Sequence, residues 1–181
     1  MYSHLFKGAP FGNQNAAGPH KGYGRHATAE HALATADTMA KEKLSSKVRG
    51  GDPNQNGYAH SVRISGNLKD PVHKVIGMLH DIVEDSDVTV AQLREAFGNR
   101  IANAVHAISK NKEAKEPTEV YLKRVMSNVD ALQVKITDMQ DNMIVRPGAI
   151  MSDHLKAKQL LYSQLYPRLL QAMEEYKKVR A

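Results

Sequence analysis

From residue 26 onward, apolar residues recur along this chain at helical spacing, and no stretch alternates convincingly at every second position. Ala29, Ala32, Leu33, Ala36, Met39, Ala40 and Leu44 form one stripe, which stops before Gly50-Gly51. The run Gly50-Gly51-Asp52-Pro53-Asn54-Gln55-Asn56-Gly57 is turn chemistry throughout, and a short segment around Tyr58 and Ile64 follows it. Asp70 before Pro71 predicts a helix start, an N-cap followed by proline at the first helical position. Val72, Val75, Ile76 and Leu79 supply that helix's buried face. Thr89 and Gln92 spell a capping box for a helix bearing Leu93, Ala96 and Phe97, with Gly98 as its stop. A further turn of helix carries Ile101, Ala104, Val105 and Ile108. Beyond a lysine-rich loop over 110–117, Thr118 is placed to cap a helix with Tyr121, Leu122, Val125 and Val129. Leu132, Ile136, Met139 and Met143 continue that pattern to Pro147-Gly148. Ser152 begins a long final helix, in which Pro167 predicts a kink. The expected class is all-α.

The first residues stand apart. They are rich in Gly, Asn and Pro and carry no period, so residues 1–25 are expected to be an extended or disordered arm and 26–181 a single domain. Their glycines do not make a phosphate-cradling loop, since no strand precedes them and no G-x-x-x-x-G-K-[ST] pattern occurs. The chain's 181 residues, 41% hydrophobic and 24% charged, suffice for one domain with a real core. No run of eighteen apolar residues and no secretory leader pattern is found, so neither a membrane partner nor export is expected. The absence of cysteine excludes disulfides and thiolate metal sites and fits a reducing cytoplasm. A formal charge of +6 favours anionic partners. Because the basic residues are spread rather than blocked, nucleotides and phosphates are expected ahead of nucleic acid.

The chemistry concentrates in His80-Asp81-Ile82-Val83-Glu84-Asp85, expected at the C-terminal end of the helix that starts at Pro71. Residues four apart share a helix face, which sets Glu84 beside His80 and Asp85 beside Asp81. Three carboxylates repel one another, and a helix C-terminus is itself negative. A divalent cation relieves that repulsion. A lone histidine here reads as an ordinary half-buried residue; the whole string favours the metal. Lys135, Asp138 and Asn142 fall on one helical stripe beside an apolar one. A buried Asp138 needs a partner, either a metal or Lys135. His60 follows the glycine-rich loop, and His73 competes with it as a ligand. His4, His20, His26, His31, His106 and His154 read as surface or packing residues.

His60, then His80-Asp81 with Glu84-Asp85, then Asp138, resembles the HD superfamily of metal-dependent phosphohydrolases. The likeness is greatest to the hydrolase domain of the RelA/SpoT alarmone enzymes and to stand-alone small alarmone hydrolases. It continues through Asp87-Val88-Thr89, Phe97-Gly98, Ser109-Lys110 and Lys135-Ile136-Thr137-Asp138 with Asn142, and covers about residues 47–142. The resemblance implies an HD-domain helical bundle and a manganese ion held by His60, His80, Asp81 and Asp138. It implies that Glu84 and Asp85 handle the catalytic water, that Asn142 contacts the nucleotide, and that Lys47 or Arg49 packs on guanine. The chain departs from the family in having Ser61, where proline usually follows the first histidine, and in standing Tyr58 two residues before that histidine instead of three.

A nitrogen-and-oxygen ligand set without thiolate suits manganese, iron or zinc. Glu84 and Asp85 are then placed to orient a water, and Lys135 to stabilise charge on phosphoryl oxygens. The expected reaction removes the 3′-pyrophosphate of guanosine tetra- or pentaphosphate, giving GDP or GTP and pyrophosphate. The alternatives are hydrolysis of another nucleotide, such as a nucleoside monophosphate or NADPH, and a nucleotide-binding sensor with a degenerate site. Association with further copies of the chain is left open.

Overall fold

The computed structural model describes residues 23–49, 52–146 and 151–180. Most of the expected arm, residues 1–22, lies outside the described residues, as do Gly50-Gly51 and Pro147-Gly148. Tyr23, Gly24 and Arg25, counted with the arm from sequence, lie against the body of the protein: the Arg25 amide reaches the Ala96 carbonyl at 3.4 Å.

Eight helices and one two-stranded hairpin make up the described residues. In chain order they are α1 (Ala29–Leu44), β1 (Val48–Arg49), β2 (Asp52–Asn56), α2 (Gly57–Asn67), α3 (Pro71–Leu79), α4 (Ile82–Asp85), α5 (Val90–Ile108), α6 (Thr118–Met126), α7 (Val129–Met143) and α8 (Asp153–Arg180). The all-α expectation holds apart from the hairpin, whose antiparallel strands pair Val48 with Asn56 and Arg49 with Asp52. Turn residues alone marked this stretch in the sequence; a five-residue strand forms there because Arg49 and its neighbours pair across it.

Most helix starts fall where side-chain chemistry puts them. Asp70 accepts from the Val72 and His73 amides with Pro71 at the first position, and Thr89 with Gln92 forms the full capping box. Ser152 accepts from the Leu155 amide at the start of α8. Thr118 is no cap: Pro117 occupies that position without a side-chain bond. The pattern read as continuous from Thr118 to Met143 breaks at Asn128, whose side chain caps α7 through the Ala131 amide. Gly98 ends the first half of α5 with φ +81°, a left-handed backbone suited to glycine. A Cβ on it would meet the Gly24 backbone at 3.0 Å.

Two cores flank α7. One is built from α1 to α5 and takes Ala131 and Val134 of α7; the other joins α6, Leu132, Ile136 and Met139 of α7, and α8. A helix buried on both sides must pair every polar group it carries. Asp130, Lys135, Thr137, Asp138 and Asp141 of α7 are all buried. On the first side, α2 and α3 approach closely because Gly77 has no side chain, and a Cβ there would lie 2.7 Å from the Leu68 side chain. This contact brings His60 of α2 to the end of α3, where His80 stands.

Candidate metal centre

Helix α3 ends one residue before His80, and Asp81 (φ −94°, ψ −4°) turns the chain into the short α4. The acidic string therefore spans a break between two helices instead of continuing one, which corrects the pairing expected from helical spacing. His80 Nδ1 reaches back to the Gly77 carbonyl at 2.7 Å. A carbonyl only accepts, so Nδ1 carries a hydrogen, and Nε2 is the ring atom turned inward. Glu84 does not face His80: it accepts from the Lys110 amide at 2.9 Å and pairs with Lys112 at 3.1 Å. Lys112 also reaches Asp85 at 2.8 Å.

His60, 1% exposed, meets this arrangement from α2. Its Nε2 lies 3.2 Å from His80 Nε2, 2.9 Å from Asp138 Oδ1 and 3.9 Å from Asp81 Oδ2. His80 Nε2 is 3.3 Å from Asp81 Oδ1 and 3.7 Å from Asp138 Oδ1. One atom each from His60, His80 and Asp81 lies within 4.8 Å of the other two, a group able to hold a metal ion. The donors fit a divalent ion. Asp138 Oδ1 borders the same two imidazoles and also accepts from Asn142 Nδ2 at 2.5 Å, and both carboxylates are bonded on their other sides. Lys135 Nζ donates to Asp138 Oδ2 at 2.6 Å, and Arg49 Nη1 donates to Asp81 Oδ2 at 2.8 Å. Sequence reasoning left Asp138 with either a metal or Lys135 as partner. In the structure the lysine takes one oxygen and the histidines face the other.

The local field follows from these contacts. Burial works against charge on His80, but Asp81 and the hydrogen bonds to Asp138 and Asp81 raise the imidazole to about 10. Burial likewise opposes ionisation of Asp138, yet the Lys135 ammonium and the two imidazoles hold its carboxyl well below the usual range. Asp81 is held low by His80 and Arg49 against the same burial. Lys135 is raised well above an ordinary lysine because Asp138 outweighs the cost of burying it.

The centre opens into a cavity of about 740 Å³, the size of a small-molecule pocket. Glu84, Asp85, Lys112, Lys135 and Asn142 line it, as do Arg63, Arg146, His154, Lys158 and Tyr162. Asn142 donates to the Asp138 main-chain carbonyl at 3.0 Å and accepts from Arg49 at 3.1 Å. Lys47, the other candidate for packing on a base, is exposed and is not among the lining residues. His73 is elsewhere: it bonds Asp130 at 2.9 Å beside Arg100, a closed ionic node. His154, read as a surface or packing residue, is exposed but lines the cavity. Sequence reasoning missed Asp141, Arg63 and Lys112. Asp141 falls one turn beyond Asp138 on α7, and its buried i+3 position was the signal available.

No family model matches the chain. Over 75 residues it is 31% identical to a guanosine-3′,5′-bis(diphosphate) 3′-pyrophosphohydrolase of Aquifex aeolicus (strain VF5), covering 38% of this chain and 11% of that protein. Over 56 residues it is 36% identical to a probable enzyme of the same name from Synechocystis sp. (strain ATCC 27184 / PCC 6803 / Kazusa), covering 29% of this chain and 7% of that protein. The match thus spans about a tenth or less of either relative's length. The fold is that of a solved structure described as a metazoan ortholog of SpoT that hydrolyzes ppGpp. The TM-score is 0.60 at 17% identity, with 82% of this chain and 95% of that chain covered. The resemblance to RelA/SpoT-type hydrolases read from the motifs therefore has independent counterparts in sequence and in fold.

Proposed function

We propose that this chain is a metal-dependent phosphohydrolase that removes the 3′-pyrophosphate of a guanosine 3′,5′-bis(diphosphate)-type nucleotide, yielding GDP or GTP and pyrophosphate. One observation carries the reading: ligand atoms of His60, His80 and Asp81 lie within 4.8 Å of one another, with Asp138 Oδ1 2.9 Å from His60 Nε2, beside a cavity lined by both acids and cations. These four residues are the proposed ligands, and manganese is the ion implied by the resemblance. Held there, a divalent ion supplies Lewis acidity toward a water and toward phosphoryl oxygens.

The remaining work belongs to the chain's own groups. Glu84 is the proposed proton acceptor for the attacking water, with Lys112 and the Lys110 amide orienting its carboxylate and Asp85 supporting it. Lys135 Nζ, locked to Asp138 and buried, is a fixed positive charge for the phosphoryl oxygens as the P–O bond to the 3′ oxygen breaks. Arg49 and Asn142, bonded to each other, are the proposed contacts for the nucleoside side. On α8, His154, Lys158 and Tyr162 form another part of the wall, where a second phosphate group would meet the Lys158 ammonium.

A second reading has its own observation. Arg49, implied to pack on guanine, instead gives its guanidinium to Asp81 and Asn142. That leaves base selection open to a different nucleotide. The deciding experiment measures pyrophosphate release from guanosine and adenosine 3′,5′-bis(diphosphates) with Mn2+ present, beside phosphate release from nucleoside monophosphates and NADPH. Pyrophosphate release from the guanosine compound is expected. Turnover of monophosphates or NADPH with none of either 3′-pyrophosphate transfers the site to the second reading. No turnover of any substrate overturns the enzymatic assignment.

A further inference from the structure

Beneath His60 lies a carboxylate with an unusual environment. Asp141 sits on α7, one turn past Asp138, with its side chain 3% exposed. Its Oδ2 lies 2.8 Å from His60 Nδ1. Arg63 approaches the same carboxylate through Nε at 3.1 Å and Nη2 at 3.2 Å, and Arg146 through Nη2 at 2.5 Å. Arg146 also reaches the Asp141 main-chain carbonyl at 3.2 Å. Two guanidiniums on one buried carboxylate are more positive charge than its neutrality requires.

An ionised carboxylate can only accept hydrogen bonds. We infer that Asp141 is the positioning residue for His60: it holds the ring with its hydrogen on Nδ1 and so turns the Nε2 lone pair toward the metal centre. A ring free to turn, or to move its hydrogen to Nε2, would point an N–H at the ion and cease to be a ligand. His80 receives the same treatment from the Gly77 carbonyl, a main-chain group that no mutation removes. The two histidines are thus oriented by two different devices, and only that of His60 is a side chain. Outer partners of this kind commonly change metal affinity by roughly 10–100-fold. Two arginines reinforce Asp141 as an acceptor, and either one alone is enough to keep it so. This role rests on the metal reading of His60, and its test separates the two.

Asp141→Asn is the informative variant, because it keeps the volume. The arginines retain the amide oxygen, so the amide NH2 faces His60 Nδ1 and drives the hydrogen to Nε2. Mn2+ affinity, read from the free-ion electron paramagnetic resonance signal, should fall roughly 10–100-fold. The His60 ring nitrogens of the metal-free variant, read by 15N NMR, should switch to the Nε2–H form. Arg63→Met and Arg146→Met leave the Asp141–His60 bond in place and should keep Mn2+ affinity within about threefold, whatever they cost in melting temperature. Wild-type affinity in Asp141→Asn overturns the inference. So does an arginine variant that loses the ion as fully as Asp141→Asn, since the ionic node alone would then be responsible. Should Asp141→Asn not fold, the wild type decides: a slowly exchanging, downfield Nδ1 proton on His60 is required, and its absence overturns the assignment. A wild type that binds no Mn2+ at all sinks the metal reading itself.

Discussion

Helix α7 carries three buried aspartates that meet histidines, Asp130, Asp138 and Asp141, and the first two could hardly be used more differently. At its first turn, Asp130 accepts from Arg100 Nε and Nη2, both at 2.8 Å, and from His73 Nε2 at 2.9 Å. Each of these three donors has a carboxylate oxygen as its acceptor, and the node is closed. Two turns later, Asp138 shares one oxygen with two imidazoles whose Nε2 atoms stand 3.2 Å apart, with Asp81 close by. Two imidazoles and two carboxylates crowd together there, with Asn142 Nδ2 donating to the shared oxygen at 2.5 Å, and the cluster has the donor set of a cation site. The same residue types thus make a structural clasp in one place and a ligand set in the other. What separates them is the balance of hydrogen-bond donors to lone pairs, read atom by atom, more than residue identity or burial.

The strongest way to break this comparison is to treat the two aspartates alike. His80→Ala and Asp138→Ala should each lose the bound ion and reduce turnover by about three orders of magnitude or more. Metal analysis of the purified variants, paired with the pyrophosphate assay, checks both. Retention of metal by Asp138→Ala would place the open node on the same footing as the closed one.

Next in size is Glu84→Gln, which separates holding the ion from moving the proton. Glu84 contacts Lys110 and Lys112 and neither histidine. The amide should keep Mn2+ at wild-type stoichiometry and lower turnover by about 10²–10⁴-fold. Equal loss of metal in Glu84→Gln and His80→Ala would show that the division between ligand and proton acceptor is drawn in the wrong place.

The closed node answers to stability instead. Asp130→Asn should leave Mn2+ affinity within about twofold and destabilise the fold by about 2–3 kcal/mol, less than a fully buried pair because Arg100 is partly exposed. Burial opposes the charge on Asp130, but Arg100 and His73 depress its folded pKa. A depressed folded pKa contributes stability that is fully present above the ordinary carboxylate pKa and lost as pH falls through the folded one. The stability gap between wild type and Asp130→Asn, measured by urea unfolding, should therefore be constant near neutrality and shrink under strongly acid conditions. A gap independent of pH would mean that the ion pairs contribute nothing.

How much of this was legible in the sequence depends on range. Capping and periodicity are local, and they located α1, the start of α3, both halves of α5 and the start of α8 closely, though not the end of α3 before His80. The hairpin was not legible, because strand pairing depends on residues across the turn and its own residues look like turn residues. The break at Asn128 was also hidden, since the apolar stripe continues through it. In the site, Asp138 with Lys135 could be read because they lie three apart on one helix. Asp141 under His60 could not, because 81 positions separate the two and only the packing of α2 on α7 joins them. His73 and His60 were alike in the sequence for the same reason: each is defined by what α7 presents to it.

The smallest expected effect concerns the α8 part of the cavity wall. Lys158 and Lys135 flank the Tyr162 ring, with ammonium groups 5.4 and 5.9 Å from its centroid. Two ammonium groups, Lys135 of α7 and Lys158 of α8, therefore stand on the cavity lining with the Tyr162 ring near both. Lys135 is tied to Asp138, whereas Lys158 borders the open cavity. If a nucleotide's 3′-phosphates lie at the centre, a 5′-diphosphate extending along α8 gains a charge-assisted contact from Lys158. Such a contact, partly open to water, is worth about 1 kcal/mol, or about fivefold in affinity. It does not change between bound substrate and transition state, so it appears in KM and leaves kcat alone. Lys158→Ala should thus raise KM about fivefold for a 3′,5′-bis(diphosphate) and leave it unaltered for the analogue with a free 5′ hydroxyl. Equal effects on both substrates would mean that the lysine acts through Tyr162 and the packing of α8, and that the cavity wall takes no part in choosing the nucleotide.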